Sequence, residues 1–116
     1  SEIPFLTKNK SRIKIFWAKD KAKWNLEKFK KLIKNKTVYI TFDVDGFDSS
    51  IMPATGTPEP GGLLWDETLK IIKIATANSK IVGADINELA PIKGFNSYNF
   101  LVAKLAYKIL SYKFLI

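Results

Sequence analysis

Residues 37–45, TVYITFDVD, constrain the fold most. Threonine, valine, isoleucine and aromatic residues fill the first part, a composition that suits a buried strand. Two carboxylates, Asp43 and Asp45, close it. Residues 46–62 then hold three prolines and four glycines. A structureless stretch longer than about 12–15 residues inside a compact domain is usually functional. A second segment of the same kind, KIVGADINEL (80–89), ends near Asp85 and Glu88.

Helix-period patterns separate these segments. In NLEKFKKLIKN (25–35), Asn25 is placed as an N-cap and Leu26, Phe29 and Ile33 form one apolar stripe. WDETLKIIKIATANS (65–79) carries Asp66 and Glu67 in its first turn, where acids suit the helix dipole. SYNFLVAKLAYKILSYKF (97–114) puts Tyr98, Leu101, Val102, Leu105 and Ile109 on one face. RIKIFWA (12–18) alternates and reads as a further strand. The expected order is β-α-β-α-β-α, an α/β domain with a parallel sheet flanked by helices. Sites in such sheets lie at the carboxyl ends of the strands. Asp43, Asp45 and Glu88 should therefore meet on one rim.

The 116 residues make one domain, 1–116, without internal repeats. No apolar run of 18 residues exists, and lysines interrupt the apolar tail, so no membrane span is expected. The first ten residues lack a signal-peptide pattern. No cysteine is present, which rules out disulfides and thiolate metal sites and fits a reducing cytoplasm.

The net charge of +8 invites a nucleic-acid reading, but its distribution favours another. Six of eleven acids (Asp43, Asp45, Asp48, Glu59, Asp85, Glu88) lie in 43–59 and 85–88, which contain no Lys or Arg. The remainder carries 19 positive and 5 negative charges, or +14. An acidic centre inside a basic coat attracts cations and repels phosphate. Arg12 is the sole arginine, and arginine is the usual reader of bases. The lysine coat is accounted for by solubility.

Two carboxylates at i and i+2 on a regular strand point the same way and repel unless a cation or shared proton lies between them. Oxygen donors of this kind suit manganese or magnesium. The plain alternative is a pair of solvated turn acids next to Gly46. An EF-hand loop fails, since the twelfth position from Asp43 is Ala54, where that loop needs Glu. A haloacid-dehalogenase-like phosphatase also sets Asp-x-Asp-Gly after a strand, but expects Thr where Phe47 stands.

TFDVDGFDSSIMPATGTPEPGGL, followed by GADINELAP and by FLVAKLAYKIL, resembles the ureohydrolase family of arginases and agmatinases. GTPEPGG is closer to the agmatinase branch. The resemblance runs from about residue 12 to the end and implies a three-layer arginase-like fold, here incomplete. It implies a cofactor of two manganese ions and hydrolysis of a small cationic guanidino substrate, agmatine to putrescine and urea. By resemblance Asp43 and Asp45 are metal ligands and Glu88 contacts the guanidinium. Asp85 and Thr57 join Glu88 as substrate-side residues, with Thr57 to Gly62 as one wall of the pocket.

Two departures stand out. Ser49 follows Asp48, where the family usually has proline. The family's remaining ligands, a His and an Asp-x-His-x-Asp segment, have no counterpart in a chain without histidine. The sequence therefore resembles the C-terminal part of a ureohydrolase. It leads us to expect an inactive chain, with an unfinished sheet that associates with itself or with a partner chain completing it. The alternative is an interaction module that kept the fold without the chemistry.

Overall fold

The computed structural model describes residues 2–115. Its elements in chain order are α1 (Glu2–Lys8), α2 (Leu26–Ile33), β1 (Thr37–Asp43), α3 (Trp65–Asn78), β2 (Lys80–Asn87) and α4 (Asn96–Phe114). Short 3-10 turns occupy Ala18–Lys23 and Val44–Gly46. The two strands pair in parallel, from Thr37 opposite Lys80 to Asp43 opposite Asn87, with an irregularity between Val38 and Tyr39. The α3 helix is the crossover that a parallel pair requires.

Local signals explain most of these elements. The side chain of Asn25 accepts hydrogen bonds from the backbone N–H groups of Glu27 (3.0 Å) and Lys28 (3.3 Å), starting α2. Glu67 reaches back to accept from the Leu64 N–H at 2.8 Å, starting α3. After α2, Asn35 takes φ 60°, the left-handed conformation that asparagine tolerates best among non-glycine residues.

The core forms around Val44, Phe47, Met52, Ala54, Ile72, Leu105 and Ile109. Phe42 and Ile86, opposite each other in the strand pair, pack against it. Phe47 stacks on Trp65 and meets Phe42, with ring centroids 6.2 and 5.0 Å apart. The long loop thus contributes core residues as well as polar ones. Tyr98, Leu101, Val102, Leu105 and Ile109 of α4 face this core.

Exposure alternates along β1: Val38, Ile40 and Phe42 are half-buried, while Tyr39, Thr41 and Asp43 lie exposed on the opposite face. Parallel strands are normally covered on both faces, and here one is open. A second apolar stripe on α4, made by Phe100, Tyr107, Leu110 and Phe114, is exposed as well.

One expected element is corrected. Residues 12–18 form no strand; the chain runs irregularly through 13–17 and enters the 3-10 turn at Ala18. An alternating pattern becomes a strand only when a neighbour takes its backbone groups. Among the described residues no strand pairs with this segment, and the Trp17 carbonyl instead accepts from the Trp24 indole N–H at 2.8 Å. Among the described residues the order is therefore α-α-β-α-β-α, with two strands. The α1 helix has no sequence pattern that announced it.

Candidate active site

The register of the strand pair fixes the rim. Asp43 is the last residue of β1 and sits opposite Asn87, the last residue of β2, with Glu88 next in the chain. Asp45 lies two residues past Asp43, inside the turn Val44–Gly46. Regular strand alternation stops before it. Val44 between the two acids is fully buried, Asp43 is exposed and Asp45 is half-buried. The pair is presented by a turn and not by a continuing strand.

Glu88 has φ 73°. A left-handed backbone is unfavourable for a residue with a Cβ, by about 1–2 kcal/mol. Such conformations persist where surrounding structure imposes them, and they gather at functional sites. The constraint is visible two residues on, where the Ala90 N–H donates to the Ala54 carbonyl at 2.8 Å. That bond ties the segment after β2 to the long loop after β1.

Thr57 belongs to that loop, and its hydroxyl donates to Asp45 at 2.9 Å. Asp48 clamps the loop shut. It accepts from the Gly61 N–H at 2.7 Å, from the Ser50 N–H at 2.9 Å and from the Ser50 hydroxyl. These bonds, led by the Ser50 hydroxyl, hold its carboxyl down at about 2. The Ser49 N–H adds a bond to the Glu59 carbonyl at 3.0 Å, which a proline at that position could not donate. Thr55 is 8% exposed, and its hydroxyl has no partner among the described residues.

Asp85 sits inside β2 and not at its end. It accepts from the Thr41 hydroxyl at 2.7 Å, from the Tyr39 hydroxyl at 2.9 Å and from the Asn87 side chain. The hydrogen bond from Thr41 and then that from Tyr39 lower its carboxyl below the ordinary value. The same contact raises the Tyr39 phenol. Asp85 thus spans the strand pair on the exposed face of the sheet. Sequence reasoning missed these cross-strand donors because register is a tertiary fact.

Carboxylate oxygens match manganese in kind. In number they do not make a centre, since no group of three His, Cys, Asp or Glu among the described residues is placed to hold an ion. Asp43 and Asp45 are at most a partial set.

A parallel strand pair thus carries an acid-bearing rim beside a Pro/Gly-rich loop. The arginase family model matches residues 4–111, and the chain belongs to that family. It is 42% identical over 103 residues to the N(1)-aminopropylagmatine ureohydrolase of a Synechocystis strain, a match covering 86% of this chain and 33% of that protein. The agmatine ureohydrolase of Thermoplasma volcanium superposes with TM-score 0.70 at 32% identity, covering 83% of this chain and 33% of that one. The formiminoglutamase of Trypanosoma cruzi, solved with two Mn2+ ions, gives TM-score 0.53 at 27% identity over 70% of this chain and 28% of that one. The chain spans about a third of the length of these curated relatives. Among the described residues no helix is long and apolar enough to cross a membrane.

Proposed function

We propose that this chain supplies the guanidinium-binding and partial metal-binding rim of an agmatinase-like hydrolase. The observation that carries the reading is the parallel register, which ends β1 at Asp43 and β2 beside Glu88 on one rim. In this reading Asp43 and Asp45 are two oxygen ligands. Glu88 pairs with the planar guanidinium through two parallel charge-assisted hydrogen bonds. Thr57 orients Asp45, and Asp85 holds the strand pair behind the rim, since its oxygens are engaged by Tyr39, Thr41 and Asn87. The chemistry manganese supplies in such a site is Lewis-acid activation of water near neutral pH. The remaining ligands come from a further segment of polypeptide.

The substrate in this reading is agmatine, cleaved to putrescine and urea in the cytoplasm. Names of relatives that act on agmatine and aminopropylagmatine support it, as does the acidic centre of a basic chain. Nucleic acid and membrane are not partners here. The open sheet face and the exposed stripe of α4 belong against polypeptide, either a second copy or a partner chain that completes the sheet.

The test is urea production from agmatine together with metal content. The 116-residue chain alone releases no urea, with or without manganese, because two carboxylates cannot fix a metal pair. Joined to a ureohydrolase segment bearing the His and Asp-x-His-x-Asp ligands, it does. In the joined protein Asp45→Asn loses metal and turnover. Glu88→Gln keeps metal but weakens substrate binding. Urea release by the chain alone would overturn this reading. A joined, metal-loaded protein without turnover would favour an interaction module.

A further inference from the structure

We infer that Lys21 is a positioning residue: its ammonium fastens the Gly62 carbonyl and the Glu67 carboxylate, and so sets the 57–62 wall over the rim. The inference rests on the reading of that wall as part of the site.

Lys21 lies in the 3-10 turn Ala18–Lys23, far in sequence from the groups it meets. Its Nζ donates to the Gly62 carbonyl at 2.7 Å and to Glu67 Oε1 at 2.9 Å. The same Glu67 oxygen accepts from the Leu64 N–H at 2.8 Å. One ammonium and one carboxylate oxygen thus gather both ends of the turn that leads from the wall into α3. This is the single ion pair within reach among the described residues of a chain with 19 Lys and Arg. The two side chains are 24% and 37% exposed.

Gly62 is gripped from its other side too. A Cβ there would come within 2.6 Å of the Asp48 N and the Phe47 carbonyl carbon. The Leu63 N–H donates to the Gly46 carbonyl, and the Asp48 N–H to the Leu63 carbonyl, each at 2.8 Å. Gly46 follows Asp45, which Thr57 holds from the far end of the wall. The wall is therefore fixed at its tip by Asp45, in its middle by Asp48 and at its base by Lys21. Lys21 is the only one of these contacts that comes from outside the 43–67 stretch. Without it, the Gly62 carbonyl loses a charged donor.

Lys70 of α3 lines the same small cavity, about 160 Å³, with Trp24, Leu26 and Ile71. Asp20 precedes Lys21 and Asp66 precedes Glu67 in the chain. The hydrogen bond from Lys21 comes first among the causes that lower the Glu67 carboxyl, and the Leu64 N–H second.

The test is amide hydrogen exchange of the 116-residue chain, followed by NMR. Lys21→Met should speed exchange at Gly61, Leu63 and Leu64 by about tenfold, the effect of one charge-assisted hydrogen bond. Ladder amides of β1 and β2 should change less than about twofold. Glu67→Gln is the second variant and should act in the same direction. In the unaltered chain, protection at Leu63, whose N–H is held by the Gly46 carbonyl and not by Glu67, should fall as pH drops below the usual Glu range, while Asp48 is still ionised. That step should vanish in Lys21→Met. Unchanged protection in Lys21→Met would overturn the inference, as would a pH step that survives the substitution or an equal loss at every amide. None of these readouts involves metal or substrate, so failure of the urea assay would leave the result standing.

Discussion

Thr57 and Asp45 are joined by a 2.9 Å hydrogen bond across a twelve-residue separation, so the tip of the Pro/Gly loop rests on a carboxylate of the rim. The loop is thereby part of the site's framework. Thr57→Val should cost about 0.5–1.5 kcal/mol, the usual net value of one hydrogen bond, and Thr57→Ser should keep most of it. Urea unfolding of the three proteins checks this. Equal midpoints for the Val and Ser variants would refute it.

Gly62 and Gly56 occupy the same loop with opposite tolerance. A Cβ at Gly62 meets the backbone of Gly46, Phe47 and Asp48 at 2.6–2.7 Å, whereas at Gly56 nothing lies within 4 Å. Backbone atoms cannot move aside as a side-chain end can. Gly62→Ala should destabilise by roughly 2–3 kcal/mol, as overpacking does, and Gly56→Ala by under about 0.5 kcal/mol. Thermal unfolding of both variants distinguishes them.

The Asp48 carboxyl titrates in the folded chain at about 2, below its ordinary value of 3.8. A depressed carboxylate gives stability that is present above the unfolded value and lost as pH falls through the folded one. The loss attributable to Asp48 should therefore fall between pH of about 4 and about 2. Asp85 and Glu67 shift the same way. Asp48→Asn should be less stable than the unaltered chain at pH 6, and the difference should shrink toward pH 2. Denaturant midpoints across that range provide the measurement, and a difference that grows on acidification would contradict the assignment.

Glu88 holds φ 73°, a conformation open to glycine. Glu88→Gly should be more stable than Glu88→Ala by about 1 kcal/mol, although both lack the carboxylate. Urea unfolding compares the two directly. An alanine variant equal to the glycine one would show that the backbone relaxes at this position.

The exposed stripe Phe100, Tyr107, Leu110 and Phe114 on α4, and the open face of β1 with Tyr39 57% exposed, should drive association. Apolar surface of this extent on an isolated chain is unusual unless covered. Sedimentation should show self-association rising with concentration and reduced by Tyr107→Glu with Leu110→Glu. A stable monomer at high concentration would count against it.

The sequence by itself determined most of the local elements and which residues bring carboxylates to the strand ends. Asn25 and Glu67 announced the starts of α2 and α3, β-branched runs announced β1 and β2, and the spacing of Asp43, Asp45 and Glu88 placed carboxylates at strand ends. Each of these depends on neighbours within a few residues, which a sequence displays. Only the tertiary structure decided the rest. Residues 12–18 carry a strand pattern without becoming a strand, because a strand exists only through the backbone of another. The turn at Val44–Gly46 broke the expected alternation of Asp43 and Asp45 once Val44 was drawn into the core. Asp85 proved to bridge Tyr39 and Thr41, and Lys21 to hold Gly62 from 41 residues away. Such partners are chosen by register and packing, and chain-local patterns do not encode which distant donor finds a given oxygen.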